Sequence, residues 1–380
     1  EVLTPMIEKA IADFLTVIRN PKHNGDDVKA ALSPVMQEVG DDSERRHYAM
    51  TQLAPLVTDV ASPEEACFIA LVVGYFVENG GDPLIGYAPI LTRFNETLGK
   101  AIDFASQCVD MPLDSEALQP LIDEYGSAEE IDPMDLVRAH IATHGEEVAQ
   151  HNPELYSALE AQIGLPNAAL AHMNHCPEAR AYARELPDFV DRLAATEGFI
   201  DNENVYWCHR LAQMLDNEEL LVIHPASEQG FRVRISGIGD NFQLHTLLAD
   251  ALNGPDGFPY DTPDPHIAAI ARGEQEPEDD DFAVGVFNMV NWTGIKGLLG
   301  ESDDDDESHS FFDEWIWGEG TPYDIEKFEE TRVVLIDDAP YQRSWQANLT
   351  FGGIRPEVTV VEKLTPQQVQ DWLQRFQAGV

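Results

Sequence analysis

Residues 220–236, LLVIHPASEQGFRVRIS, mark the point at which the character of the chain changes. Residues 220–223 are all apolar, and residues 231–235 alternate apolar and polar side chains, as a half-buried strand does. The turn that follows leads into a predicted helix over 242–252. This stretch therefore predicts that β structure begins near residue 220.

Further strands are predicted towards the C-terminus. Residues 332–336 (RVVLI) and 358–361 (VTVV) are short, β-branched apolar runs. The last helix is predicted to begin at Pro366, with Thr365 as its N-cap and Gln368 completing a capping box. The C-terminal part of the chain should thus contain both strands and helices.

Upstream of residue 218 the patterns are those of helices. Apolar residues recur at helical spacing, and helix starts are marked by a capping residue followed by proline. These pairs are Thr4-Pro5, Ser62-Pro63, Asp132-Pro133 and Asn152-Pro153. The predicted fold class is therefore α+β, with a bundle-like helical domain over 1–218 and a smaller mixed α/β domain over 219–380.

The chain carries 69 acidic and 23 basic residues, a net charge of −46. Nucleic acids and anionic membranes are excluded as partners, because binding them requires clustered Lys and Arg. Acidic loops are predicted at 274–281 and 301–307. The acidity is typical of a salt-adapted protein, and it leaves basic proteins, metal cations and small-molecule substrates as partners. The oligomeric state is not predicted.

No targeting or membrane segment is predicted. The longest apolar run, 67–77, is too short to span a bilayer, and the N-terminus lacks the basic-then-apolar order of a signal peptide. Four widely spaced cysteines suggest reduced thiols and therefore a cytoplasmic protein. They are Cys67, Cys108, Cys176 and Cys208.

One group of residues in the helical domain has spacing that suits a metal or acid–base site. The residues His140, His144, Glu147 and His151 are separated by four, three and four positions, so a continuous helix places them on one face. Imidazoles with a carboxylate suit a divalent transition metal such as Zn or Fe. A helix that ends at Gly145 would not place all four residues on one face.

A second pair, His172 and His175, has the spacing of two residues on one helical face. Two ligands from each of two antiparallel helices is a common way to build a metal site in a bundle. If the two segments form an antiparallel helix pair, their histidines are expected to meet at one site. The alternative is a set of histidines at the edge of the core with ordinary hydrogen bonds.

Another candidate lies in the C-terminal domain. Arg343 follows the predicted strand 332–336 and could hold a substrate carboxylate, near Trp317 and Glu319. A structural ion pair would explain this arginine equally well.

Two functions follow from these patterns. The first is an enzyme with a metal or acid–base site, in which His140, His144, Glu147 and Arg343 are the catalytic candidates. The metal candidates are His140, His144, Glu147, His151, His172 and His175. The second is a non-catalytic interaction module whose acidic surface docks a basic partner.

Overall fold

The computed structural model describes residues 5–20, 22–300 and 311–380 of the chain. The chain forms two compact units, Glu1–Ala212 and Gln213–Val380. The domain boundary predicted from the sequence, near residue 218, lies a few residues further along.

The N-terminal unit is helical in its described part. Its helices are α1 (Pro5–Ile18), α2 (Gly25–Val39), α3 (Ser43–Leu53), α4 (Leu56–Asp59), α5 (Pro63–Glu78), α6 (Tyr87–Val109), α7 (Ser115–Tyr125), α8 (Pro133–His151), α9 (Pro153–Glu160), α10 (Leu165–His175), α11 (Pro177–Glu185), α12 (Phe189–Thr196) and α13 (Glu203–Gln213).

The predicted helix starts explain several of these bounds. Ser62 accepts a hydrogen bond from Glu65 N, and Asp132 accepts one from Met134 N at 2.7 Å, so both cap a helix that opens with proline. Asn152 precedes Pro153, but its side chain donates to Gln107 instead. Thr4 lies outside the described residues.

Helix α5 has ten buried residues among its sixteen, and it packs against α2 and α10. Gly74 allows the close approach to α10, since a Cβ at this position would lie 2.9 Å from Ala168 Cα. In the part of the chain that the structure describes, no helix has both the length and the apolar character needed to cross a bilayer.

The C-terminal unit combines sheet and helix. Its strands are β1 (Glu218–His224), β2 (Gln229–Ser236), β3 (Phe282–Val284), β4 (Phe287–Asn291), β5 (Lys327–Phe328), β6 (Thr331–Asp338), β7 (Ser344–Gln346) and β8 (Glu357–Lys363). Its α-helices are α14 (Asn241–Leu252), α15 (Pro265–Ala271), α16 (Ile295–Leu298) and α17 (Pro366–Gly379).

The main sheet has the strand order β4-β6-β1-β2-β8, with β5 also paired to β6. Strands β1 and β6 are parallel, and the other pairs of this sheet are antiparallel. Strands β3 and β7 form a separate two-stranded sheet. The carboxyl ends of β1 and β6 therefore meet at one edge, between two antiparallel neighbours.

Helices cover both faces of the main sheet. Leu244 and Leu248 of α14 pack with Val222 and Val334 on one face. On the opposite face, Val369, Leu373 and Phe376 of α17 pack with Ile223 and Leu335. The alternation of side chains along β1 and β6 divides them between the two cores. These findings confirm the predicted α+β class, and the four strands and the capped last helix predicted from the sequence are present.

Candidate functional site

The histidines of α8 lie on one continuous helix, because the helix runs through Gly145 without a break. His140 and His144 stand with their ring centroids 6.1 Å apart. His140 is buried, and its Nδ1 has no hydrogen-bond partner among the described residues. The predicted one-face alignment is thus present for this pair.

The other candidate side chains of this helix contact backbone carbonyls or are exposed to solvent. His144 Nε2 donates to Pro112 O at 3.2 Å, and His151 Nδ1 donates to Glu147 O at 2.8 Å. The Glu147 side chain is exposed. Each ring therefore satisfies one nitrogen with a backbone carbonyl, that of His151 within its own helix and that of His144 in the segment before α7.

The pair on α10 behaves in a similar way. His172 is fully buried, and its Nδ1 donates to Pro83 O at 2.8 Å. Burial lowers the pKa of His172, so the ring is neutral. His175 is exposed, with its Nε2 3.7 Å from Glu78 Oε1.

Across residues 5–20, 22–300 and 311–380, no three or more His, Cys, Asp or Glu side chains form a group able to hold a metal ion. The metal site predicted from the two histidine segments therefore receives no support from the geometry and stays a prediction.

A different set of polar side chains converges in the C-terminal unit. His224 Nδ1 lies 2.7 Å from Ser227 Oγ, and Tyr260 Oη lies 3.0 Å from His224 Nε2. The Tyr260 hydroxyl donates to Asp338 Oδ1, also at 3.0 Å. Four side chains thus form one continuous chain of hydrogen bonds.

Proton counting assigns the direction of these bonds. The only proton of the Tyr260 hydroxyl goes to Asp338, which is a carboxylate and can only accept. His224 Nε2 must then carry the proton that Tyr260 Oη accepts. Its Nδ1 is left unprotonated and accepts the hydroxyl proton of Ser227 at 2.7 Å, in preference to Gln229 Oε1, which lies farther from Ser227 Oγ at 3.3 Å. This tautomer makes the imidazole a base on the side that faces Ser227.

The pKa directions agree with this assignment. Burial lowers the pKa of His224, although the charges of Asp338 and Asp337 oppose that effect. His224 is only 4% exposed, so it is a neutral base near pH 7. Burial and the carboxylate of Asp338 raise the pKa of Tyr260, which keeps its hydroxyl protonated.

The sheet brings these residues together. His224 is the last residue of β1 and Asp338 is the last residue of β6, so both stand at the shared carboxyl edge of two parallel strands. Ser227 lies in the short turn between β1 and β2, and Tyr260 comes from the segment between α14 and α15. The carboxyl ends of parallel strands are the usual place for ligand sites in sheets covered by helices.

Aromatic rings connect this group to a second buried histidine. The Tyr260 ring lies 5.7 Å from that of Phe287, and Phe287 stacks on His245 at 4.2 Å between centroids. His245 is 2% exposed, its Nε2 donates to Phe287 O at 3.2 Å, and its Nδ1 has no partner among the described residues. Burial, followed by the charge of Arg343, lowers the pKa of His245 to about 3.

Arg343, the catalytic candidate from the sequence, lies beside this histidine. Its Nη2 donates to Phe287 O at 2.9 Å, and its Nε is buried without a partner among the described residues. Burial lowers the pKa of Arg343. Trp317 is about half exposed. Arg343 therefore fixes the start of β4 and adds positive charge to the region.

Comparisons of this chain with protein-family models, with curated proteins and with solved structures found no match. The function is therefore inferred from the geometry of the sites.

The sequence patterns did not indicate His224, Ser227, Tyr260 or Asp338. One available signal was the position of polar residues directly after the apolar runs 220–223 and 332–336. That signal becomes informative only when the two strands are known to be parallel neighbours.

Proposed function

We propose that the C-terminal unit carries a catalytic site for acyl transfer, in which Ser227 is the nucleophile and His224 is its base. The observation behind this proposal is the hydrogen-bonded chain Ser227, His224, Tyr260 and Asp338 at the carboxyl edge of β1 and β6. A nucleophile within hydrogen-bond reach of a base that a third group orients is the arrangement that activates a hydroxyl.

In the proposed reaction the substrate is an ester. Ser227 Oγ forms a bond to the ester carbonyl carbon while its proton passes to His224 Nδ1. The alcohol leaves with that proton as its bond to the carbonyl carbon breaks. Water then adds to the same carbon and gives its proton to His224 Nδ1, and Ser227 Oγ takes that proton as its bond to the carbon breaks and the acid is released. Tyr260 accepts from Nε2–H throughout and holds the imidazole in the reactive tautomer, while Asp338 anchors Tyr260.

The charge of the chain limits the substrates. A net charge of −46 repels anions, so neutral or cationic esters suit this site better than phosphorylated or polycarboxylate ones.

The alternative function, docking of a basic partner, has weaker support. In the acidic run 274–281, Glu274 pairs with Arg272 and Arg355, and Asp281 pairs with His266. Two of the six carboxylates in this run therefore already have intramolecular partners. The other run, 301–307, lies outside the described residues.

Labelling by a fluorophosphonate probe tests the proposal. Activated serines displace fluoride from phosphorus, forming a stable oxygen–phosphorus bond while the serine proton passes to the base. We expect peptide mass spectrometry to find the label on Ser227. His224→Asn should slow labelling by about 100-fold or more, because the base is lost.

The matched control is Ser344→Ala, which removes an exposed hydroxyl on β7 and should leave labelling unchanged. Circular dichroism at the labelling temperature checks that each variant is folded. Folded wild-type protein that shows no label on Ser227, or equal labelling in His224→Asn, would contradict the proposal.

A further inference from the structure

The helical unit contains a cavity of about 570 Å³ that the proposed catalytic site does not use. Its size falls within the range of small-molecule sites. The lining residues come from α2, α5, α9, the start of α10 and the turn before it.

The floor of this cavity is apolar. Of its lining residues, Cys67 and Ala161 are buried, and Phe68 and Leu71 are half-buried. Burial raises the pKa of the Cys67 thiol to about 11, so this sulfur is protonated and behaves as an apolar group. Gly164 closes the floor tightly, because a Cβ there would lie 2.6 Å from Cys67 Sγ.

The rim of the cavity carries two carboxylates and two aromatic rings. Glu64 stands on α5 beside Phe68, while Glu160 and Tyr156 stand together on α9. Tyr156 and Glu160 are four residues apart on α9, so they are neighbours on one helical face, and the charge of Glu160 raises the pKa of Tyr156. Tyr156 remains 41% exposed and is therefore available to a ligand.

The structure already shows a cation held at this rim. The ammonium nitrogen of Lys29 lies 4.0 Å from the centre of the Phe68 ring. Among the described residues this ammonium has no ion pair, and Lys29 is exposed. Its contact with the ring is a weak cation–π interaction on a flexible stem, which a ligand can displace at small cost.

From these contacts we infer that the cavity binds a small amphipathic organic cation. The apolar body of the ligand lies against Phe68 and Leu71. Its cationic group takes the position over Phe68 that Lys29 occupies, where Glu64 and Glu160 attract it at longer range than a direct ion pair. The overall negative charge of the chain draws cations and repels anions, so an anionic ligand on Lys29 is disfavoured.

The test compares 4-phenylbutylammonium with 4-phenylbutyrate, two probes of similar size and opposite charge. Saturation-transfer NMR and titration of the full-length protein measure binding. We expect the cation to bind and the anion not to bind. Glu160→Gln and Glu64→Gln should each weaken binding by about threefold to tenfold, and salt should weaken it further.

The sign of the change in affinity in Lys29→Met is the sharpest test, because this variant keeps the apolar stem and removes the competing ammonium. This variant should tighten binding of the cationic probe. Asp13→Asn, which raises the net charge by one as the Glu64→Gln and Glu160→Gln variants do but lies outside the cavity lining, is the control for those two variants and should leave binding within about twofold.

Three results would overturn this inference: no binding of the cation, equal binding of the anion, or weaker cation binding in Lys29→Met. The outcome is separable from the proposed acyl transfer, since serine labelling is read at Ser227 and cation binding at Glu64 and Glu160.

Discussion

The histidines of α8 and the described histidines of the C-terminal unit differ in what surrounds them. The former share one helix, whereas the latter contact side chains from other segments of the chain. On α8, three histidines share one helix, and His144 and His151 donate to nearby backbone carbonyls. In the C-terminal unit, His224 instead meets a tyrosine and a carboxylate contributed by two other segments. Regular spacing aligns side chains along a helix, whereas a reactive group requires side chains from several elements that point at one another.

The largest expected difference between the two regions is in how the free energy of unfolding depends on acidic pH. His245 in the C-terminal unit is expected to make the largest contribution. Its pKa of about 3 in the folded chain lies below the ordinary value of 6.5, so the unfolded chain binds the extra proton between these values. Folding stability from this residue is present above pH 6.5 and is lost as the pH falls towards 3. At about pH 4.5 the loss should be on the order of 3 kcal/mol.

Urea unfolding near pH 7 and near pH 4.5 measures this loss, and His245→Phe provides the comparison. The variant should lose clearly less stability than the wild type between the two pH values, because it no longer titrates. Equal losses in both proteins would show that the His245 environment does not exclude the charged form.

The second expected effect concerns Tyr260, which connects His224 to Asp338. Tyr260→Phe removes this link while keeping the ring that packs on Phe287. Labelling of Ser227 by the fluorophosphonate should slow by about tenfold or more, because His224 loses the acceptor that fixes its tautomer. Tyr341→Phe, which removes the hydroxyl of an exposed tyrosine, is the matched control and should label at the wild-type rate.

The smallest effect is expected on α8. His144→Gln and His151→Gln should each change the free energy of unfolding by less than about 0.5 kcal/mol, because each ring makes one hydrogen bond to a backbone carbonyl near the surface. Elemental analysis should find the same transition-metal content in wild type and variants. Stoichiometric metal in the wild type that is lost in His144→Gln would favour the predicted metal site. It would also show that the α8 histidines converge on a ligand, contrary to the comparison made above.

The fold was predictable to the extent that its signals are local. The apolar run 220–223, the alternation at 231–235 and the capping box at Thr365 depend on neighbouring residues, and each corresponds to an element of the structure. The pairing of β1 with β6 was not predictable, because more than a hundred residues separate the two strands and a short apolar run carries no information on its partner.

The site was hidden for the same reason. His224 and Asp338 become neighbours only through that parallel pairing, and Tyr260 reaches them from an irregular segment that has no periodic pattern. The α8 histidines were conspicuous in the sequence because helical spacing is local. Local spacing indicates which face a residue occupies, but it does not indicate what lies opposite that face.

The pH dependence of Ser227 labelling tests the central claim most directly. If His224 is the base, the labelling rate should rise through a midpoint below 6.5, since burial lowers the pKa of this histidine, and it should be constant above neutral pH. His224→Asn should lack that step. A rate that keeps rising with pH to about 9 in both proteins, as attack by an unassisted hydroxyl would give, would contradict the account.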